Sequence, residues 1–391
     1  MKRRFGVLCL SLGFCMAGWA QSFVIDGELE NVEDGVIVEL FKVDGNVGSV
    51  VAVDTLQGGK FRFEAQTEGG KVSEMSIGCF RSPGFPPMSL DVWVNPGMYA
   101  KVRGSNKLPY TWQVESDVPQ QQTQQRLAGA SKDLWDSYQE NLIAQDSCQA
   151  LARGKGVCAE ESMRLKALYD SLEVVNRKVQ VAIDANTIRL LKQLPVDEVW
   201  MKGLKSMAMS VSYMEGYPYK EEAVSLFNSL PESWKQSAVG KDVRTALFPP
   251  EVAEAGKPLA DGDLYDLQGG VHHLSDFKGK YILLDLWSRG CGPCLMALPE
   301  MRELHAQYKE RLVMVSLSID TKEGWEAASK QHEMSWWNLN DLQGMSGLYA
   351  RYGVRGIPHY VMISPDGIVL EHWEGYSRGQ LKEKAKGYLG E

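Results

Sequence analysis

The residues best suited to chemistry are Cys291-Gly292-Pro293-Cys294. Two cysteines separated by two residues either close a small disulfide ring or supply half of a metal site. A zinc centre needs two further ligands, commonly a second such pair or two histidines at fixed spacing. The six histidines, His272, His273, His305, His332, His359 and His372, all follow residue 271, and none forms a zinc-like pair with the motif. The expectation is therefore a redox dithiol and no metal. Cys291 stands where an apolar run ends and a helix begins. Unsatisfied N–H groups and the positive helix end stabilise a thiolate there, lowering its pKa below ~8.5. Cys294 lies one turn deeper and is less accessible. Cys291 is thus expected to attack and Cys294 to resolve. Pro293 suits the first helical turn, where its missing N–H costs nothing.

These cysteines must be positioned by the elements around them. Residues 281–287 are a continuous apolar run of the kind a parallel sheet buries. A helix is expected over 299–309, a second buried strand over 312–319 and a helix over 324–332. A hairpin over 360–363 and 368–371 turns at Ser364-Pro365-Asp366-Gly367. Strand–helix alternation followed by a hairpin predicts an α/β domain.

Residues 281–299, Tyr-Ile-Leu-Leu-Asp-Leu-Trp-Ser-Arg-Gly-Cys-Gly-Pro-Cys-Leu-Met-Ala-Leu-Pro, resemble a thioredoxin-fold active site. Trp287 stands four before the first cysteine and Pro299 five after the second, as in that family. Gly356-Ile357-Pro358 matches the loop whose proline is cis and faces the dithiol. The extra segment 320–340 is similar to that of the secreted TlpA/ResA-like thiol–disulfide oxidoreductases. The resemblance covers residues 250–391 and implies Cys291, Cys294 and Pro358 as catalytic residues. It implies Trp287, Gly292, Pro293, Ile357 and His359 as candidate substrate contacts, with His359 placed to favour a thiolate. Arg289 is a second candidate for that electrostatic role. Two positions depart from the pattern. Ala297 stands where these enzymes usually carry a proton-transferring Glu, and Gly290 where they usually carry Trp. Asp285, six before Cys291, matches the buried acid of thioredoxin. Desolvation in its apolar strand should raise its pKa, fitting it to take the proton of Cys294 near neutral pH.

The chain around this domain is long. Its 391 residues suggest two or three domains at about 150 residues each. Hydrophobic residues make up 44% and charged residues 24%, which excludes disordered, collagen-like and multi-span membrane proteins. The net charge of −8 argues against nucleic acid as a partner. Met1-Lys2-Arg3-Arg4, an apolar run from Phe5 to Gly18 and the small residues Gly18 and Ala20 form the three-part pattern of a cleaved signal peptide over 1–20. Cys15 follows the bulky Phe14, which speaks against lipidation. Losing that segment removes three basic residues and no acidic ones, moving the net charge from −8 to −11. The mature protein is then expected outside the cytoplasm, in a bacterial periplasm, and not membrane-spanning.

Residues 21–119 alternate short apolar runs with Asp-Gly, Gly-Gly and Asn-Pro-Gly turns, predicting a small antiparallel β sandwich or barrel. This part resembles the β-rich domain often found before secreted thioredoxin-like domains, through Phe23-Val24-Ile25-Asp26-Gly27, Val53-Asp54-Thr55 with Gly59-Lys60-Phe61-Arg62-Phe63, and Val102-Arg103-Gly104-Ser105. Residues 120–248 open on a Gln-rich boundary and read as helices. Leu127, Leu134, Tyr138 and Leu142 form one apolar face; Leu165, Leu168, Leu172, Val175 and Val179 form another. Gly154-Lys155-Gly156 breaks the two into a hairpin. Cys148 and Cys158 flank the break, and a disulfide there would staple it by about 2–3 kcal/mol. Cys79 is expected as a buried thiol. The thioredoxin-like domain then occupies 249–391, giving a multidomain fold class of antiparallel β domain, helical region and α/β domain.

The expected activity is thiol–disulfide exchange on protein disulfides without an organic cofactor, the Cys291–Cys294 disulfide being the redox centre. Thioredoxin's own Gly-Pro dipeptide goes with a potential near about −270 mV, which points to a reductant. The resemblance implies a membrane-embedded thiol electron donor. Two alternatives stand beside it. A peroxiredoxin-like peroxidase needs Pro seven and Thr or Ser three residues before its cysteine; Ser288 fits, but Leu284 takes the first position. A non-enzymatic envelope binding protein would use the β domain as receptor.

Overall fold

The computed structural model describes residues 22–390, apart from 45–46, 68–70 and 155. The signal segment expected over 1–20 lies outside them.

The first part is built from β1 (Ser22–Leu29), β2 (Ile37–Asp44), β3 (Val47–Thr55), β4 (Lys60–Gln66), β5 (Ser73–Gly78), β6 (Leu90–Val94), β7 (Tyr99–Gly104) and β8 (Gln113–Glu115). They form two sheets, ordered β4-β1-β7-β8 and β3-β2-β5-β6. Along β1 every second residue is buried, and Phe23, Ile25 and Leu29 join Phe61 and Phe63 of β4 in the core. The other sheet adds Val38, Leu40, Met75, Ile77 and Val92 to the same core. The expected all-antiparallel arrangement needs one correction, because β1 and β7 pair in parallel. A parallel pair requires a long crossover; the whole second sheet supplies it. Cys79 is fully buried in this core, and burial pushes its thiol pKa up to about 12.

The middle part contains α1 (Pro119–Gly129), α2 (Lys132–Ala152), α3 (Ala159–Leu191), α4 (Glu198–Tyr213), α5 (Lys220–Asn228), α6 (Glu232–Lys235) and α7 (Ala238–Leu247). Helix α1 docks on the edge strand β6: Gln121 accepts the Trp93 N–H at 2.8 Å and donates to Asp91 O at 3.3 Å. Helices α4, α5 and α7 share an apolar cluster with the end of α3. Helices α2 and α3 form the expected hairpin, with a partly polar seam. Asn141 Nδ2 donates to Asn176 Oδ1 at 2.8 Å and Gln145 Nε2 to Tyr169 O at 3.4 Å. Leu165 and Asn176 are buried on α3, whereas Leu168 and Val175 are exposed. The apolar face is therefore narrower than the sequence pattern suggests.

The staple expected between Cys148 and Cys158 is not made; both thiols are free. Cys148 is buried within α2, while Cys158 is exposed at the N-cap of α3. Spacing brings the two to the same end of the hairpin, but one faces inward and the other faces solvent.

The last part carries β9 (Leu264–Tyr265), β10 (Val271–His272), β11 (Tyr281–Trp287), α8 (Gly292–Tyr308), β12 (Leu312–Ser318), α9 (Lys322–Gln331), β13 (Trp337–Leu339), α10 (Leu348–Arg351), β14 (His359–Ile363), β15 (Val369–Glu374) and α11 (Gln380–Leu389). The five-stranded sheet is ordered β13-β12-β11-β14-β15. Strands β11, β12 and β13 run parallel, and β14 and β15 run antiparallel to their neighbours. Because strand side chains alternate, one face presents Leu283, Tyr360 and Met362 to α8 and α11. The other presents Leu284, Leu286, Val361 and Ile363 to Tyr349, Tyr352 and the segment from Ala253 to Leu274. The helix expected from residue 299 starts earlier, at Gly292, and carries Pro299 inside it.

Candidate active site

Strand β11 ends at Trp287, and a turn over Ser288, Arg289 and Gly290 delivers Cys291 to the N-cap of α8. Cys291 and Cys294 are joined by a disulfide, their Cα atoms 5.2 Å apart. Cys291 Sγ also accepts the Cys294 N–H at 3.1 Å. That contact aims an unsatisfied helix-end donor at the sulfur that would carry thiolate charge. Cys291 is 8% exposed and Cys294 3%, so the first cysteine is the more accessible.

The turn is held by a residue not anticipated from sequence. Asp320, buried just past β12, accepts the Ser288 hydroxyl at 2.7 Å, the Arg289 N–H at 2.8 Å and the Ser318 hydroxyl at 3.0 Å. Tyr349 adds a clamp, its hydroxyl donating to Trp287 O at 2.7 Å and Leu317 O at 3.0 Å. A carboxylate at the end of the second parallel strand was the available signal, since adjacent parallel strands end side by side.

The pairing of β14 with β11 places Leu286 opposite His359, so the preceding Pro358 reaches the end of β11. The Ile357–Pro358 bond is cis. A groove of about 380 Å³ runs between this loop and the dithiol. Cys291, Gly292, Pro293, Met345, Arg355 and Ile357 are among its lining residues. Gly292, Pro293 and Ile357, three of the candidate contacts, thus line the groove beside the disulfide.

Two candidate contacts are placed elsewhere. Trp287 is 1% exposed and packs beneath the disulfide with Cys291, Cys294, Trp325 and Ala328, supporting the site from below. His359 is also buried, on the Val361 side of its strand. Its Nε2 lies 3.0 Å from His372 Nδ1 and its Nδ1 lies 3.4 Å from Glu374. His372 Nε2 sits 2.8 Å from Ala253 O and must donate to it, which leaves Nδ1 to accept from His359. Burial, then the neighbouring His372, holds the His359 pKa below its ordinary 6.5. A charge on His359 is thus disfavoured, and its side chain lies on the sheet face away from α8, so it is not placed beside a Cys291 thiolate. Arg289, the other expected cation, turns away to Asp44 of β2, with Nη2 to Oδ2 at 2.9 Å.

Asp285 is buried at the centre of β11, on the strand face shared by Leu283 and Trp287, toward α8. Ser316 donates to Oδ2 at 2.8 Å, and Trp336 Nε1 in turn donates to Ser316 Oγ at 2.8 Å. The other oxygen, Oδ1, is buried without a partner. Burial pushes the Asp285 pKa up to about 7, opposed only by the Ser316 hydrogen bond. A buried carboxyl with a raised pKa thus lies on the α8-facing side of the strand that leads to the dithiol.

Leu284 is fully buried and paired with Val315 and Val361 on either side. The position where a peroxidatic site calls for proline is here an ordinary core strand residue.

The sequence profile of the AhpC/TSA family matches residues 255–372. The chain is 33% identical over 142 residues to the thiol-disulfide oxidoreductase ResA of Bacillus thuringiensis subsp. konkukian, covering 36% of this chain and 79% of that protein. It is 26% identical over 136 residues to the thioredoxin-like protein YneN of Bacillus subtilis, covering 34% and 78% of the two chains. Among solved structures, a thiol-disulfide oxidoreductase from Bacteroides fragilis is 29% identical; the match covers 34% of this chain and all (100%) of that one, with a TM-score of 0.31.

Proposed function

The chain belongs to the TlpA/ResA-like thiol–disulfide oxidoreductases, and from that membership we propose that it reduces disulfides of protein clients outside the cytoplasm through Cys291 and Cys294. In the reduced enzyme the Cys291 thiolate attacks one sulfur of a client disulfide. A mixed disulfide forms and the other client sulfur leaves as a thiolate, which takes up a proton. Cys294 then gives its proton to Asp285 and attacks Cys291 Sγ. The second client thiol is released, and the enzyme holds the Cys291–Cys294 disulfide. Two electrons pass from the dithiol to the client, and no organic cofactor takes part. A thiol donor in the membrane restores the dithiol. Gly292, Pro293 and Ile357, which line the groove beside Cys291, meet the client backbone, and the cis bond to Pro358 sets the path of the Ile357 loop.

The observation that carries this reading is the pairing of an N-cap disulfide, open to a groove on its Cys291 side, with a buried carboxyl whose pKa lies near neutrality. The basic, then apolar, then small-residue N-terminus supports action outside the cytoplasm. A Cys294→Ser trap tests the reading directly. Expressed in the source cell, it should accumulate mixed disulfides through Cys291, identified by mass spectrometry. An adduct-free trap, with Cys291 reduced and alkylatable, would refute it.

A further inference from the structure

A second cavity, of about 460 Å³, adjoins the groove beside the disulfide, and Ile319 and Met345 line both. One wall of this cavity comes from the helical region: Lys205 of α4 with Ala238, Lys241 and Asp242 of α7. The other is formed by the start of α9, at Lys322, and by the segment 342–346. Asp341 shapes that segment by accepting the Gln343 N–H at 2.9 Å and the Leu348 N–H at 2.7 Å. The helical region and the α/β domain thus build a cleft together, next to Cys291.

Charge is unevenly spread along it. No acidic residue lines the groove at the disulfide, and Arg355, exposed on its wall, has no ion-pair or hydrogen-bond partner among the described residues. The adjoining cavity holds two carboxylates, and both are engaged. Asp242 pairs with Lys205 at 2.6 Å, and buried Asp320 accepts the Ser288 and Ser318 hydroxyls and the Arg289 N–H. Lys241 is exposed, and its side chain has no such partner among the described residues. Lys322 reaches only Glu326, 4.0 Å away on the same helix, an exposed pair that neutralises little. Four cations against two carboxylates line the two cavities, an excess of two positive charges in a chain of net charge −8.

We propose that the groove and the adjoining cavity form one extended client site that selects disulfides flanked by acidic residues. The client's reacting sulfur lies at Cys291. Glu or Asp beside the client cysteine meets Arg355 and, past Met345, Lys241 and Lys322. The α/β domain supplies the dithiol, and the helical region supplies part of the charge that reads the client. The proposal rests on the reading that Cys291 reduces protein disulfides.

The test uses two short synthetic peptides, alike except for Glu or Gln at the positions flanking a single cysteine, each as its symmetric disulfide. Reduction by the reduced full chain is followed by chromatography of the released peptide thiol. Each rate is divided by that with dithiothreitol, which removes the peptide's own reactivity. At about 0.1 M salt, where screening acts over about 10 Å, the Glu peptide should react about fivefold faster or more than the Gln peptide. At about 1 M, where it acts over about 3 Å, the ratio should approach one. In Arg355→Gln and in the double variant Lys241→Gln/Lys322→Gln the low-salt ratio should fall about twofold or more. Both rates come from the same protein, so a folding defect lowers them together and cancels from the ratio. A wild-type ratio of one or below, or a ratio that neither variant lowers, overturns the proposal. If neither peptide is reduced, the reductase reading falls instead. The charge preference is then judged by the same ratios with maleimide-bearing versions of the two peptides, whose coupling to Cys291 needs no turnover.

Discussion

Replacing Asp285 by Asn should change how stability depends on pH. The carboxyl is fully buried, with one oxygen bonded to Ser316 and the other without a partner. In the unfolded chain it titrates at its ordinary 3.8, and in the folded protein at about 7. Between those values the native state keeps a proton that the unfolded state has lost. Folding is then linked to proton uptake, and stability falls as pH rises. The stability is fully present below about pH 4 and is lost progressively up to about pH 7. With 1.36 kcal/mol per pKa unit, a shift of roughly three units amounts to about 4 kcal/mol. Asparagine cannot titrate, so its variant lacks this dependence. Its amide meets the same unpartnered oxygen site, a cost of about 1–3 kcal/mol that does not change with pH. Urea unfolding of the oxidised wild type and Asp285→Asn at several pH values from 4 to 8 isolates the effect. Oxidation keeps the active-site thiols from titrating, and other buried acids such as Asp184 and Asp341 contribute equally to both proteins. The stability of the variant relative to wild type should climb by about 4 kcal/mol across the range. A difference constant to within about 0.5 kcal/mol would show that Asp285 is ionised throughout, and the base assignment would fall with it.

The same substitution should slow resolution of a mixed disulfide by about a hundredfold or more while leaving the initial attack within a few-fold, the size of a general-base contribution; stopped-flow kinetics on each half-reaction separates the two. In the oxidised native protein, thiol labelling with peptide mapping should find Cys158 reactive and both Cys79 and Cys148 slow, since only Cys158 is exposed; an unlabelled Cys158 disulfide-linked to Cys148 would contradict the hairpin described above. Asp320→Ala removes the acceptor of three hydrogen bonds at the Cys291 turn and should cost about 2–4 kcal/mol in denaturant unfolding, together with altered Cys291 alkylation; a loss below about 0.5 kcal/mol would mean that water replaces the carboxylate.

Much of the site was legible in the sequence because its chemistry is local. The cysteine pair, the helix start that Pro293 favours, the buried strand 281–287 with its single acid and the loop before Pro358 all lie in short contiguous segments. Backbone periodicity and helix-end electrostatics act over those same distances. The order of β, helical and α/β parts followed from turn spacing and apolar period for the same reason. What only the tertiary structure decided depends on residues far apart in the chain. Asp320 supports the Cys291 turn because β11 and β12 run parallel and end together. His359 lost its expected role because strand alternation turns it to the opposite face, against His372. Cys148 and Cys158 are near in sequence, yet the helix phase leaves one buried and the other exposed. Arg289 and Gly290 are the clearest case. Their partners, Asp44 and Val47, lie more than 240 positions away. No local pattern encodes such a contact, since it exists only once two separately cored domains have packed together.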